Sequence, residues 1–304
     1  MVELLRGNAD VRMPIKLCAD RVPLPLRKVL PCKDNPAELT RSPASSVSGA
    51  MALRAWFSAR VSSLTLKGTW RSTRPGRHVQ TNKLLARLVS GGQPVIVDIG
   101  VSDGVTSLEL IEELGANFAK YHVTDRFLAV DFVESGSSVL FFDKGGDCIC
   151  VAGRWVVFYP EMRRHGRILR WLYPGVFGVE GADRTLLREQ SLIQPQLLEL
   201  AEKDPRIAVT AHDAFAHWPW EGAEVVKVGN LLNRAYFSDP QITSVLRNAH
   251  QALRDGGRLV VVENRGAEQL EQTSIFLRQG GGFILEQQIG AGTEIGDLAL
   301  NFRG

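Results

Sequence analysis

Pro94-Val-Ile-Val-Asp-Ile-Gly-Val-Ser-Asp-Gly-Val-Thr-Ser-Leu-Glu-Leu110 is the stretch on which the fold turns. Val95 to Gly100 is a short β-branched run of the kind buried in a parallel sheet, and Thr106 to Leu114 follows as a helix after a turn of small residues. A dinucleotide-binding turn carries glycine at its first, third and sixth positions. Here those positions hold Gly100, Ser102 and Val105, so two of the three fail. What remains is Asp98 at the strand end and Gly100 and Gly104 four apart, with small residues between them. That arrangement lets a ligand lie against bare backbone without a pyrophosphate to seat. It predicts a mononucleoside with a positively charged tail.

Working outward, the same alternation of short apolar runs and helical spacing continues. Lys120-Tyr-His-Val-Thr-Asp125, Arg206 to Ala211, Ala223 to Gly229 and Gly257 to Glu263 read as strands. Ile242, Val245, Leu246, Ala249 and Leu253 recur at helical spacing ahead of Asp255-Gly256-Gly257, which stops the helix. Gly282 to Glu286 and Gly296 to Asn301 read as two further runs, antiparallel neighbours at the end of the sheet. The fold class is therefore α/β: a Rossmann-like, doubly wound, mostly parallel seven-stranded sheet with an antiparallel last strand.

The chain divides into residues 1–50, irregular and basic with six prolines; 51–92, helices leading into the core; and 93–304, the nucleoside-binding domain. An insertion at about 127–190 interrupts that domain. Within it, Ser138 to Tyr159 reads as strands about a Lys144-Gly-Gly turn, and Glu161 to Pro174 is basic and aromatic together. Residues 161–174 are a segment for contact with an anionic substrate or a membrane surface, or else a solvated helix face.

Charge is uneven along the chain. Sixteen Lys and Arg stand against five Asp and Glu in residues 1–90, and twenty against twenty-eight in the rest. A basic arm suits an anionic partner or is simply a solvated extension. Cys18, Cys32, Cys148 and Cys150 match no zinc or redox spacing, so no metal is expected and the thiols read as reduced packing residues. No apolar stretch approaches the roughly 20 residues that span a bilayer. With no apolar leader in MVELLRGNADVRMP, a cytoplasmic location is expected.

Four segments, in order over residues 80 to 300, resemble the class I S-adenosylmethionine-dependent methyltransferases. Asp98-Ile-Gly-Val-Ser-Asp-Gly104 is similar to that family's first glycine-rich motif, with Ser102 in place of the central glycine. Asp125 matches the acid that ends the second strand, and His212-Asp213-Ala214-Phe215 matches the acid and apolar pair after the third. Leu253-Arg-Asp-Gly-Gly-Arg-Leu-Val-Val matches the step into the fifth. The resemblance implies S-adenosylmethionine as cofactor and S-adenosylhomocysteine as product. It implies binding through Asp98, Gly100, Ser102, Gly104, Asp125, Asp213 and Ala214: Asp125 on the ribose hydroxyls, Asp213 and Ala214 at adenine. Beside it stand simpler readings from the residues alone: Asp125 and Asp213 as turn caps, and Asp98 as a buried acid rather than the partner of a methionine ammonium.

Methyl transfer is an in-line displacement, so alignment and exclusion of water suffice and a base is optional. The fourth strand delivers Asn230, Asn233, Arg234 and Tyr236 to the acceptor end, and these are the acceptor-pocket candidates. His212, His217 and His250 are available bases but read first as packing or surface histidines. A small-molecule acceptor is expected. The motifs of amino-group nucleic-acid methyltransferases are absent, which disfavours nucleic acid. The run from Asn230 through Gly257 also looks like the chemotaxis receptor methyltransferases, which makes a protein carboxylate the alternative acceptor. A non-catalytic S-adenosylmethionine-binding protein is the other alternative. Nothing in the sequence sets the oligomeric state.

Overall fold

The computed structural model describes residues 15–28, 30, 32–43, 47–160, 183–266 and 268–304. In chain order the first elements are β1 (Ile15–Cys18), β2 (Cys32–Lys33), α1 (Ala50–Val61), β3 (Thr65–Leu66), β4 (Thr69–Trp70) and α2 (Val79–Leu88). Then come β5 (Val95–Ile99), α3 (Val105–Leu114), β6 (Lys120–Asp125), β7 (Ala129–Ser135), β8 (Ser138–Phe142), β9 (Cys148–Ala152) and β10 (Val156–Phe158). The chain closes with β11 (Arg188–Ser191), α4 (Pro195–Lys203), β12 (Ile207–Ala211), β13 (Ala223–Gly229), α5 (Asp239–Ala252), β14 (Leu253–Arg265), β15 (Leu270–Gln279), β16 (Gly282–Ile289) and α6 (Gly296–Asn301). These elements group into two units.

The second unit, Pro75–Leu128 with Ile193–Gly304, is the α/β domain. Its seven strands lie in the order β12-β6-β5-β13-β14-β15-β16. β12, β6, β5, β13 and β14 are parallel, and the sheet ends in antiparallel pairs, β14 with β15 and β15 with β16. Chain order reverses between β5 and β13, which is where open α/β sheets bind ligands at their carboxyl edge.

Alternation along each strand sorts the core into two faces. Val97, Ile99, Val226, Val228, Leu259 and Val261 pack with Ile242, Val245, Leu246 and Ala249 of α5. Ile96, Tyr121, Val225 and Val260 pack on the other face with Leu85 of α2, Leu108 and Ile111 of α3, and Leu197 of α4. Helices thus cover both faces, as double winding requires. α5 is started by a capping box of Ser238 and Gln241, with Pro240 in its first turn. One tail expectation is corrected: Gly296–Asn301 is the helix α6, and β16 pairs with β15 instead. Its apolar residues, Leu298, Ala299 and Phe302, recur at helical rather than alternate spacing and pack on α5's side of the core.

The first unit takes its described residues from Met1–Arg74 and Ala129–Leu192. A seven-stranded sheet, β11-β7-β8-β9-β10-β1-β2, runs through it, antiparallel except for β1 with β2. The N-terminal extension is therefore not simply irregular where described. Ile15–Cys18 hydrogen-bonds to the insertion's Val156–Phe158, because its apolar residues need a sheet to bury against. The expected hairpin is present as β8 and β9, joined by a turn in which Asp143 Oδ1 accepts the N–H groups of Gly145 and Asp147. Cys18 and Cys150 are buried, and none of the four cysteines forms a disulfide. The basic segment 161–174 lies outside the described residues. No helix among the described residues is long and apolar enough to cross a membrane.

Candidate functional site

The turn after β5 is built from three left-handed residues, Gly100 (φ 72°), Ser102 (φ 60°) and Gly104 (φ 76°). This conformation is unfavourable for a side-chain-bearing residue, and Ser102 is held in it from outside. Its N–H donates to Asp125 Oδ2 at 2.7 Å, while Asp125 Oδ1 accepts from Phe127 N at 3.0 Å. The acid at the end of β6 is therefore fixed against the glycine turn. Asp213, at the end of the neighbouring β12, accepts from Phe215 N at 3.0 Å and pairs with Arg126 Nε at 3.3 Å. Residues 125 and 211 are register partners, and His212 N donates to the Asp125 carbonyl, so the two acids stand side by side at the carboxyl edge.

Asp98 has a different role from the one expected of a cofactor contact. It is buried, and its Oδ2 accepts from Ser107 Oγ at 2.8 Å, Tyr121 Oη at 2.8 Å and Lys227 Nζ at 2.9 Å. Alternation turns it into the α2 and α3 face of the sheet, where an internal ammonium already answers it. The glycines are also explained in part by packing. A Cβ on Gly104 would come within 2.5 Å of Leu197 Cδ2, so this position admits α4, and a Cβ on Gly100 would meet Leu231 Cδ2 at 2.9 Å. Ala214 is buried in the core, and its carbonyl accepts from Trp218 Nε1 at 2.9 Å.

The four acceptor-pocket candidates do not converge. Asn230 (φ 54°) faces inward, Asn233 caps its own turn through Ala235 N, and Tyr236 is 49% exposed. Arg234 clamps the tail, bonding Asp239 Oδ1 and Asp297 Oδ2 at 2.8 Å each and the Glu294 carbonyl at 2.8 Å. Those carboxylates raise its already high pKa further. Its sequence position beside Asn230 misled, because the chain turns back toward α6 within four residues.

Asn230 instead joins a set that sequence reasoning missed. Its Nδ2 lies 2.8 Å from His78 Nε2 and 3.1 Å from Asn264 Oδ1, and its Oδ1 accepts from Asn264 N at 2.8 Å. Arg77 Nε donates to Asn264 Oδ1 at 2.9 Å. His78 is the residue before α2, and its ring lies on the bare face of Gly229, where a Cβ would meet Cε1 at 2.9 Å. Burial, then the nearby Lys227 and Arg77 cations, push its pKa well below the ordinary value, so the ring is neutral. No motif announces this residue; the only trace in sequence is the glycine that ends β13.

The histidines considered as bases lie elsewhere. His212 packs edge-on to Trp220 at 4.7 Å, and His250 Nε2 bonds the Gly280 carbonyl at 2.9 Å. His217 lines a shallow cavity with Trp218, Trp220, Gly222 and Leu253, at the amino ends of β13 and β14 and away from the turn. Among the described residues, no group of three or more His, Cys, Asp or Glu side chains could hold a metal ion.

No family model matches the chain, and no curated protein matches it. Solved structures do match. The N-methyltransferase NodS from Bradyrhizobium japonicum WM9 in complex with S-adenosyl-L-homocysteine is 16% identical, over 67% of this chain and 70% of that one, with a TM-score of 0.35. The S-adenosylmethionine-dependent methyltransferase SibL in its apo form is 16% identical over 62% of this chain, with a TM-score of 0.31. The mitomycin 7-O-methyltransferase MmcR is 16% identical over 62% of this chain, with a TM-score of 0.32. The match spans 36% of the length of each of the latter two. Superpositions this loose carry no argument about activity, and the Rossmann-like fold rests on the strand order of the chain itself.

Proposed function

We propose that the protein is an S-adenosylmethionine-dependent methyltransferase acting on a small-molecule acceptor. The observation that carries this reading is the 2.7 Å bond from Ser102 N to Asp125 Oδ2, which joins the left-handed turn after β5 to the acid ending β6, beside the point where strand order reverses. A carboxylate has about four lone-pair sites, so one oriented by two backbone N–H groups is well suited to a vicinal diol as well. Asp213, one strand further out beyond the end of β12, is the acid we assign to the base attached to that ribose. The residues fit a nucleoside at Asp125 and Asp213, and do not fit an ammonium at Asp98.

When bound, the cofactor supplies a methyl group already activated on a sulfonium, so the chain's part is positioning and exclusion of water. Asp125 and the turn after β5 would hold the nucleoside, and its tail would lie toward the carboxyl ends of β5 and β13. Asn230, held by three hydrogen bonds to His78 and Asn264, would then present a rigid polar wall to the acceptor. Titration calorimetry with S-adenosylhomocysteine tests the reading, with one-to-one binding expected. Absence of heat, together with no adduct to either S-adenosyl compound in native mass spectrometry, would overturn it.

A further inference from the structure

His78 is a buried polar side chain that the fold itself does not use up. It is 2% exposed, and its Nδ1 has no hydrogen-bond partner among the described residues. The network fixes which nitrogen carries the proton. The backbone N–H of Asn264 can only donate, so the Asn230 atom facing it is Oδ1, and the Nδ2 amide then faces His78 Nε2. An N–H aimed at a ring nitrogen needs a lone pair there, so Nε2 accepts and the ring proton sits on Nδ1. Asn264 cannot flip to reverse this, because its Nδ2 donates to the carbonyls of Arg77 and Gln269 while its Oδ1 accepts from Arg77 Nε. Nδ1 is thus a donor in a dry place, where an unmade hydrogen bond is costly.

Its electrical surroundings select the partner. The charged groups that act on His78 are cations, Lys227 and Arg77, while the carboxylate of Glu271 is taken up by the N–H groups of Gln80 and Thr81. The place of the ring agrees with such a partner: it lies against Gly229 at the carboxyl end of β13, the neighbour of β5. From β12 through β6 and β5 to β13 the strands are neighbours, each step about 4.8 Å. A nucleoside held at Asp125 with its base toward β12 would extend its tail across β5 toward Gly229, on which the His78 ring lies.

We propose that His78 Nδ1–H is the donor for a carboxylate oxygen of a ligand bound in the crevice between β5 and β13. The carboxylate belongs either to the amino-acid tail of the cofactor or to the methyl acceptor; this choice of source and the path of the tail along the strand order rest on the methyltransferase reading, whereas the unpartnered Nδ1–H does not.

Two variants and three probes decide it. His78→Gln keeps a polar atom near the Nε2 position, toward Asn230, and removes the Nδ1–H, whereas His78→Asn places an amide N–H where Nδ1 was. The probes are S-adenosylhomocysteine, 5′-methylthioadenosine, which lacks the amino-acid tail, and benzoate. If the cofactor supplies the carboxylate, His78→Gln binds S-adenosylhomocysteine about tenfold or more weakly and 5′-methylthioadenosine normally, and His78→Asn recovers most of the loss. If the acceptor supplies it, all three proteins bind both nucleosides alike, and benzoate shifts the His78 Nδ1 nitrogen resonance of the wild-type S-adenosylhomocysteine complex. Equal weakening of both nucleosides in His78→Gln would mean a merely structural role and overturn the proposal. So would unchanged nucleoside binding with a benzoate-insensitive resonance. If the wild type binds neither nucleoside, the methyltransferase reading fails, and benzoate titrated into the ligand-free protein still decides the role of His78.

Discussion

Lys227 Nζ lies 2.9 Å from Asp98 Oδ2, with the two side chains 1% and 2% exposed, at register-paired positions of β13 and β5. Two charges have been taken out of water together in the middle of the sheet. Removing one partner leaves the other uncompensated, which typically costs about 3–5 kcal/mol, whereas replacing both is much cheaper. Lys227→Met and Asp98→Asn should each lower the unfolding free energy by about that amount, and the double variant should recover a large part of the loss. Denaturant titration of the three proteins checks this. Strictly additive losses would contradict the coupling.

Asp125→Ala should weaken S-adenosylhomocysteine binding by about 2 kcal/mol or more, since hydrogen bonds to a charged group contribute about 1.5–3 each. The variant also frees Ser102 N–H, so some loss of stability is expected alongside. Calorimetry on the folded variant, with circular dichroism as control, separates the two effects. Wild-type affinity in a folded protein would remove Asp125 from the site.

Gly104→Ala tests whether that glycine serves packing. An added methyl carbon would sit 2.5 Å from Leu197 Cδ2, on a backbone at φ 76° that disfavours any Cβ. A loss of about 1–3 kcal/mol is expected. Leu197→Ala in the same chain should relieve the collision but not the backbone cost, so its effect should fall short of additive. Thermal unfolding at matched conditions reads both.

Stability should fall with acid partly through His78. Its pKa is lowered in the folded state, whereas the unfolded chain takes up a proton below about pH 6.5. The contribution is therefore present above that value and lost as pH falls below it. His122, His212 and His250, whose pKa values burial also lowers, act with the same sign. The unfolding free energy of His78→Gln should decline less steeply between pH 7 and pH 5 than that of the wild type. Parallel curves would show that the buried ring takes up its proton with the fold intact.

Much of the second unit could be read from spacing. β6 and β13 run over the residues expected of them, and α5 follows the periodicity of Ile242, Val245, Leu246 and Ala249. These segments bury one stripe or two faces, and burial writes itself into the apolar pattern. The site was less legible because polar residues carry no such period. Asp98 and Lys227 interrupt apolar runs on two strands far apart in sequence, and only strand pairing shows that they answer each other. His78 is hidden for the same reason, since its partner Asn230, and Asn264 bonded to Asn230 in turn, come from strand ends long after it in the chain. In the first unit the N-terminal prolines masked a strand of four residues whose partner lies in the insertion.

That pairing has a consequence for the nascent chain. Ile15 aligns with Phe158 and Leu17 with Val156, so the first described strand must wait for a partner that leaves the ribosome much later. At roughly 5–20 residues per second the delay is about 7–30 s, and the loop closed at its end contains the whole first βαβ of the other unit. During this interval β1 has only β2 beside it, and its other row of N–H and C=O groups is open to any chain that offers an edge. Translation paused anywhere between Cys18 and Val156 therefore prolongs the life of a sticky, half-paired strand.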